Sequence, residues 1–287
     1  MLQRKLRLYA AAPLWVVPEL PRRMADWLGL SEDLGGELAT LAFLYHCAAD
    51  VIDDAQDGEL ASIPAWEGGD WPDAVTVGLF LLSLHSAQLA ALNVSPSARV
   101  ACVLAFGRAG LALSRGQHLD LRAHPEADWG EADVLAVGDL KAGGALGVLT
   151  ELAPLAAGLS ETAHWRALGV AAGRFFQLAS DLEAYLKPAP HADLAWAKLT
   201  LPLLAARQFD PVLATVWSAG LPLDVEHQER LRLAVCQSGG LTYAKWRLEV
   251  LHRELTMDLA KFGDDALSAL LAPVWATALG VVEPAPV

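Results

Sequence analysis

The stretch Leu38–Asp57, LATLAFLYHCAADVIDDAQD, is the part of the sequence that best predicts the fold. Its apolar residues recur at intervals of three and four, which is the pattern of an α-helix. No Lys, Arg, Asp or Glu occurs from Leu38 to Ala49, so we expect most of this helix to be buried. The acidic end that follows, from Asp50 on, would then lie at the edge of a helical core.

The aspartates at the end of this helix form an acidic cluster. At about 100° per residue they fall within an arc of roughly 100° on one helix face, where carboxylates repel one another. No Lys or Arg occurs between Arg23 and Arg99 to offset this repulsion. A hard divalent cation such as Mg²⁺, which prefers oxygen ligands, would relieve it. An acidic face turned to water is the alternative. The members of the cluster are Asp50, Asp53, Asp54 and Asp57.

The rest of the chain shows the same helical periodicity, and we find no convincing alternating strand. Clusters of Gly, Pro, Asn and Asp separate the periodic stretches. The sequence therefore predicts one all-α domain over residues 1–287, a bundle of about ten helices. Within it, residues 1–25 are compatible with an irregular N-terminal segment. The clearest further helices are expected at Val75–Leu92, Val100–Arg115, His164–Leu186 and Leu241–Phe262.

Composition excludes several classes of protein. Hydrophobic residues make up 54% of the 287 residues, so a large core can form. A net charge of −13 argues against nucleic-acid binding. Only three cysteines occur, scattered along the chain, which fits a reducing cytoplasm better than a disulfide scaffold. The uncharged run Ala74–Ala98 contains Ser, His, Gln and Asn, so we expect a buried helix there rather than a transmembrane span.

Five further short motifs follow the DDAQD segment in a fixed order. Together they resemble the trans-isoprenyl diphosphate synthase (polyprenyl synthetase) family over about residues 38–270. The resemblance implies an all-α homodimer of the isoprenoid synthase type, in which two aspartate-rich helices face one another across a deep apolar cavity. The motifs are GQHLDL (116–121), KAG (141–143), FQLASD (176–181), KLTLP (198–202) and SGGLTYA (238–244).

The resemblance also implies a chemistry and its residues. The family ionises an allylic diphosphate with the help of Mg²⁺ and condenses the carbocation with isopentenyl diphosphate. By resemblance, Asp53 and Asp57 are metal ligands with Asp54 beside them, and these three act in catalysis together with Lys141 and Lys198. By the same resemblance, the two lysines and Gln177 belong to the allylic diphosphate site, His46 belongs to the isopentenyl diphosphate site, and Gln117 is a further substrate-binding residue. Surface lysines and satisfied core amides are the alternatives for these lysines and glutamines.

Two of the chain's departures from the family pattern concern the metal and diphosphate sites. In the second aspartate-rich motif Ser180 replaces the first Asp, which leaves Asp181 as the expected metal ligand there. The arginines that follow the first motif in the family are absent, since Gly58-Glu59-Leu60 stands in their place. The basic residues Arg4, Lys5 and Arg7 are the expected substitutes for diphosphate binding, and a frayed basic N-terminus explains them equally well. Arg22 and Arg23 form a second candidate pair.

We therefore predict a cytoplasmic, Mg²⁺-dependent prenyltransferase, homodimeric and without a transmembrane span, that condenses an allylic diphosphate with isopentenyl diphosphate. Two alternatives stay open. The missing arginines favour prenyl transfer to a non-diphosphate acceptor, or cyclisation. The altered second motif favours a non-catalytic subunit of a heteromeric prenyl synthase. Small residues at Ala48 and Ala49 permit a long product unless Phe43 or Tyr45 closes the tunnel.

Overall fold

The computed structural model describes residues 16–58, 71–209, 213, 216 and 220–261. In this part of the chain every regular element is helical, which confirms the all-α prediction and the expected number of about ten helices. The helices are α1 (Val16–Trp27), α2 (Glu32–Asp57), α3 (Trp71–Ala91), α4 (Pro96–Asp120), α5 (Glu131–Leu140), α6 (Ala142–Ala156), α7 (Ala163–Leu186), α8 (Ala192–Ala195), α9 (Leu201–Phe209), α10 (Val225–Gln237) and α11 (Gly240–Ala260).

The chain divides into two compact units, each built from two stretches of sequence. The first unit takes the residues up to Leu111 together with Ala145–Gly169. The second unit takes Ala112–Gly144 and the residues from Val170 onward. The unit boundaries fall within α4, α6 and α7. The expectation of a single domain over residues 1–287 stays a prediction.

The prediction of an irregular N-terminal segment over residues 1–25 is wrong for residues 16–25, because α1 begins at Val16. This helix buries the apolar side chains of Leu20 and Met24. On its other side Glu19 accepts hydrogen bonds from Arg22 and Arg23, three and four residues later, which is the spacing that stabilises a helix. The preceding residues 1–15 lie outside the described part of the chain.

The first unit is organised around α2. Ser31 caps the helix by accepting a hydrogen bond from the backbone N–H of Leu34 at 3.3 Å. The helix ends at Gly58, whose φ of 77° lies in the left-handed region that glycine adopts readily. Helix α3 approaches α2 closely, because a Cβ at Gly78 would lie 2.6 Å from Cγ1 of Ile52. The packing at Gly78 fixes the last turns of α2, which carry the acidic cluster. The shared core consists of Leu44, Cys47, Ala48, Val51, Ala55, Ala74 and Leu81.

Two described helices, α3 and α4, are long and apolar enough to cross a membrane by length and composition alone, with 28% of each apolar window buried. This test does not establish a span, since core helices pass it too. The prediction of a buried helix over Ala74–Ala98 is correct for only one face of that helix. Helix α3 packs on α2 with one face, while Leu79 and Phe80 are exposed on the other.

The second unit has its own apolar core, formed mainly by α7 and α9–α11. Arg207 of α9 binds the loop that follows α4, donating hydrogen bonds to the carbonyl oxygens of Pro125 and Ala127 at 2.8 and 3.0 Å. A third bond, from the same guanidinium group, reaches the Trp129 carbonyl at 3.3 Å. These bonds hold the loop that forms one wall of the site described below. The largest fully buried side chains of this core are Tyr185, Phe175, Leu182, Leu194 and Leu199.

Candidate active site

Two lysines predicted from separate motifs meet on one carboxylate in the second unit. Asp120 is the last residue of α4, Lys141 lies at the break between α5 and α6, and Lys198 precedes α9. Nζ of Lys141 donates to Oδ2 of Asp120 at 2.7 Å, and Nζ of Lys198 lies 2.8 Å from the same oxygen. All three side chains are at most 15% exposed. The fold therefore holds the two ammonium groups side by side, and neither is a surface lysine.

Glycines bring the backbone of Lys141 into this position. Lys141 leaves the helical conformation, with ψ of −93°, and so separates α5 from α6. A Cβ at Gly116 would lie 2.9 Å from the backbone nitrogen of Lys141 and 2.8 Å from Cβ of Leu140. A Cβ at Gly173 of α7 would lie 2.3 Å from the carbonyl carbon of Ala142. Only glycine permits such close approach, which gives the glycine of the GQHLDL motif a packing role.

Lys198 is fixed by the segment around the short helix α8. Its backbone N–H donates to the Asp193 carbonyl at 2.8 Å, and its Nζ lies 3.4 Å from Oδ1 of the same residue. The next backbone N–H, of Leu199, donates to the Ala123 carbonyl at 2.6 Å. The segment is thus joined to the loop that follows Asp120. Lys198 consequently has two carboxylates within ion-pair distance, Asp120 and Asp193.

Electrostatics keep Asp120 ionised although it is buried. Burial alone would raise the pKa of its carboxyl group, but the positive charges of Lys198 and Lys141 outweigh that effect and lower the pKa. The buried group is therefore a carboxylate at neutral pH. It forms two charge-assisted hydrogen bonds, which are the stronger kind in a protein interior.

Asp181, the metal ligand expected from the second motif, lies on α7 beside Gln177. Nε2 of Gln177 donates to Oδ1 of Asp181 at 3.0 Å. Gly138 of α5 leaves room for this glutamine, since a Cβ there would lie 3.4 Å from Cβ of Gln177. Burial, and then the negative charge of Asp193, raise the pKa of Asp181 to about 7. This carboxyl group therefore exchanges its proton near neutral pH.

The other residues of the second motif face elsewhere. Ser180 is exposed, whereas its neighbour Asp181 is buried. Glu183 forms an ion pair with Lys187 one turn later. The substitution of Asp by Ser at position 180 is thus not offset by Glu183.

A small pocket that is open to solvent lies beside these groups. Its polar lining comes from Asp120, Gln177, Asp181 and Thr200. Its apolar lining is made of Ala123, Trp129, Val134, Val137 and Leu199. The second unit therefore has a polar pocket with an apolar wall next to two positively charged side chains. The deep apolar cavity implied by the resemblance stays a prediction.

The first aspartate-rich motif lies in the first unit, on the last two turns of α2. Its four aspartates are all half-buried. Nε2 of His46 lies 3.2 Å from Oδ2 of Asp50, which is an ion-pair distance without the geometry of a hydrogen bond. In the described part of the chain no three His, Cys, Asp or Glu side chains converge on one metal position. Mg²⁺ is commonly held by one or two carboxylates with waters and phosphate oxygens, and Asp53 and Asp57, four residues apart on one face, fit that kind of site.

The remaining predicted residues are less informative. Gln117 is half-buried on α4, three residues before Asp120. Arg4, Lys5 and Arg7 lie outside the described residues. Sequence reasoning gave no role to Asp120 or Asp193. Asp120 stood within the quoted GQHLDL motif, which could have drawn attention to it, whereas nothing in the sequence marked Asp193.

The fold is the all-α fold of the isoprenoid synthase type. The family model described as Polyprenyl synthetase matches residues 22–221, so the chain belongs to the polyprenyl synthetase family. It is accordingly a prenyltransferase, an enzyme that transfers alkyl groups other than methyl. A search of curated proteins finds no significant match.

Solved structures agree on the fold. A polyprenyl synthase from Caulobacter crescentus, complexed with calcium and isoprenyl diphosphate, is 21% identical at a TM-score of 0.79, with 99% of this chain and 94% of that chain covered. A decaprenyl diphosphate synthase from Rhodobacter capsulatus is 19% identical at a TM-score of 0.80, covering 93% and 86%. A heptaprenyl diphosphate synthase from Staphylococcus aureus is 16% identical at 0.77, covering 96% of both chains. At these identities the likeness shows the shared fold.

Proposed function

We propose that this protein is a Mg²⁺-dependent isoprenyl diphosphate synthase that condenses an allylic diphosphate with isopentenyl diphosphate. One observation carries the proposal. Lys141 and Lys198, which are 57 positions apart in the sequence, share one oxygen of Asp120 beside a polar pocket. Two buried ammonium groups at one point suit a ligand with several negative charges, such as a diphosphate.

Diphosphate leaves an allylic carbon only when its developing charge is neutralised, and in this proposal Lys141 and Lys198 do so by hydrogen bonds to its oxygens. Gln177 adds a polar contact at the pocket wall. Asp53 and Asp57 would hold Mg²⁺, with Asp54 beside them and Asp181 as the carboxylate of the second motif. When bound, the metal neutralises further diphosphate charge. His46 is proposed for the isopentenyl diphosphate site, together with Arg4, Lys5 and Arg7.

The test is a product assay with the purified protein. The protein is incubated with Mg²⁺, isopentenyl diphosphate and allylic diphosphates of increasing chain length, and the products are identified by mass. We expect products longer than the allylic substrate by whole five-carbon units. Lys198→Ala should abolish them, whereas Lys261→Ala, which removes an exposed lysine paired with Asp258 at 2.6 Å, should leave them unchanged.

The same assay separates the alternatives. Release of diphosphate without incorporation of isopentenyl diphosphate would point to another acceptor or to cyclisation. If the protein forms no product and binds no diphosphate, it would be a non-catalytic subunit. The comparisons favour neither alternative, because the matched family and the three similar structures described above are prenyl synthases.

We also propose that the protein is a homodimer that uses the exposed apolar residues of α3 and α4. On α4 these residues recur at three-, four- and seven-residue spacings, which places them on one helix face. Their exposed fractions run from 46% to 77%, and exposed apolar patches of this kind commonly mark protein interfaces. The exposed apolar residues of α3 and α4 are Leu79, Phe80, Val100, Val103, Leu104 and Leu111.

The dimer proposal is tested by light scattering after size-exclusion chromatography. The wild-type protein should have twice the mass of one chain, and Leu104→Glu should give a monomer. Leu159→Glu changes an exposed leucine outside these helices and should stay dimeric. A monomeric wild type would contradict the proposal.

The proposed compartment is a reducing cytoplasm, supported by three free thiols, Cys47, Cys102 and Cys236.

A further inference from the structure

Asp120 has no assigned role in the proposed reaction, yet it is the group on which the two lysines meet. The residue is 8% exposed, and one oxygen of its carboxylate accepts hydrogen bonds from both ammonium groups. We infer that Asp120 is a positioning residue, which holds Lys141 and Lys198 side by side before an allylic diphosphate arrives and then shares them with it. The inference rests on the proposed function.

The charges explain why a carboxylate is needed between the lysines. Two ammonium groups this close would repel each other strongly in a buried setting. A carboxylate between them replaces that repulsion with two charge-assisted hydrogen bonds. Asp193, 3.4 Å from Nζ of Lys198, adds a second negative charge. The two cations are thus balanced by two carboxylates.

Asp120 should therefore influence an incoming diphosphate in two opposite ways. By fixing the lysines it prepares them to stabilise the departing diphosphate, and such preorganisation raises turnover. By its own negative charge it repels the diphosphate and weakens ground-state binding. Asp120→Asn keeps the size of the side chain and removes the charge. This variant should lower turnover without weakening diphosphate binding, whereas loss of a purely structural contact should lower both.

Glu131 provides a matched control in the same unit. It too is a carboxylate with two partners, since Oε2 accepts from the Tyr243 hydroxyl at 2.5 Å and Oε1 accepts from Nε of Arg247 at 2.7 Å. It connects α5 with α11 and contacts neither lysine in these bonds. Glu131→Gln therefore removes a comparable ionic contact while leaving Lys141 and Lys198 on Asp120.

The experiment measures three quantities for the wild type and both variants. These are the Kd of inorganic diphosphate with Mg²⁺ by calorimetry, the kcat and KM for an allylic diphosphate, and the melting temperature. For Asp120→Asn we expect a Kd equal to or lower than that of the wild type and a kcat reduced by about tenfold or more. For Glu131→Gln we expect kcat and Kd within about twofold of the wild type, a change that corresponds to less than 0.5 kcal/mol.

Two results would overturn the inference while the wild type is active. One is an Asp120→Asn kcat within about twofold of the wild type. The other is a parallel loss of kcat, diphosphate binding and melting temperature, which is the mark of a structural contact. Should Asp120→Asn not fold, Asp120→Glu decides, because it keeps the charge but moves it by one methylene. A lower kcat of Asp120→Glu at an unchanged Kd then supports the positioning role of Asp120, and an unchanged kcat with an unchanged Kd refutes it. An inactive wild type that binds no diphosphate would overturn the proposed function itself, and this inference with it.

Discussion

The two compact units treat their buried polar groups differently. In the second unit, Asp120 is buried with its charge and has two lysine partners. In the first unit, the Tyr45 hydroxyl and Nε2 of His85 are buried without a hydrogen-bond partner. The two rings pack on each other and on Phe106, with centroids 5.4 Å apart for Tyr45 and His85 and 4.4 Å for His85 and Phe106.

Buried charge is not confined to the second unit, because Glu151 of the first unit is 3% exposed, pairs with Arg108 at 3.2 Å and accepts a hydrogen bond from the Thr162 hydroxyl at 2.8 Å. Burial lowers the pKa of His85 to about 4, so its imidazole is neutral at pH 7. A neutral group can stay in an apolar core at moderate cost, whereas a buried charge needs a partner. Among the described residues, Glu151 has one cationic partner, the exposed Arg108, whereas Asp120 has two largely buried lysines beside a pocket, which we interpret as a sign of function.

The largest effect is expected when the buried ionic group of the second unit is broken. Lys141→Ala leaves Asp120 with one lysine, and truncating one partner of a buried pair costs about 3–5 kcal/mol. We expect a loss of stability near the low end, because Lys198 stays in place, together with a turnover below detection. Urea unfolding followed by circular dichroism measures the first effect. Lys261→Ala, at an exposed pair, should change stability by less than about 0.5 kcal/mol, and an equal loss in both variants would contradict the assignment.

Helix α2 and the buried ionic group at Asp120 were only partly predictable from the sequence. The periodicity of Leu38–Asp57 predicted α2, although the structure starts the helix at Glu32 after the Ser31 cap. Lys141 and Lys198 were expected near a diphosphate through the family resemblance. Their meeting on Asp120 was not, because it depends on close packing at Gly116 and on the segment before α9, which no local pattern encodes.

Exposure of α3 was missed for a related reason. The apolar composition of a helix indicates that the helix is shielded from water, but it does not indicate which surface shields it. A core helix and a helix covered by a second copy of the chain therefore have the same sequence pattern. Leu79 and Phe80 follow the apolar pattern of α3 and are nevertheless exposed.

A second prediction concerns the pH dependence of the second unit. The folded-state pKa of Asp181 is raised from 3.8 to about 7. Its contribution to stability is therefore complete below the unfolded pKa and is lost as pH rises through about 7. In metal-free buffer the wild type should lose about 2–3 kcal/mol from this group between pH 5 and pH 8. Asp181→Asn should not show this loss, so the difference between the two proteins isolates it. Parallel stability curves would show that Asp181 is ionised throughout.

His85 should show the opposite dependence in the first unit. Its folded-state pKa is lowered from 6.5 to about 4. The associated stability is present above the unfolded pKa and is lost as pH falls toward 4. Between pH 7 and pH 5 we expect a loss of about 2 kcal/mol in the wild type. His85→Phe, which keeps an aromatic ring between Tyr45 and Phe106, should lack this loss. Thermal unfolding of both proteins at the two pH values provides the measurement, and identical shifts would refute the neutral, buried state of His85.

The smallest effect on stability should accompany one of the largest effects on activity. Asp53→Ala removes one of four half-buried aspartates on one face of α2. Because like charges at these spacings destabilise a helix by a few tenths of a kcal/mol, the metal-free variant should be as stable as the wild type or slightly more stable. Turnover should nevertheless be lost if Asp53 holds Mg²⁺. A thermal shift assay separates the two effects, because Mg²⁺ with inorganic diphosphate at 100 times Kd should stabilise the wild type by about 2.7 kcal/mol and the variant by less. Gln56→Ala, at an exposed residue in the same segment, is the control. If Asp53→Ala destabilised the metal-free protein instead, the contacts of this carboxylate within the protein would outweigh its repulsion by the neighbouring aspartates.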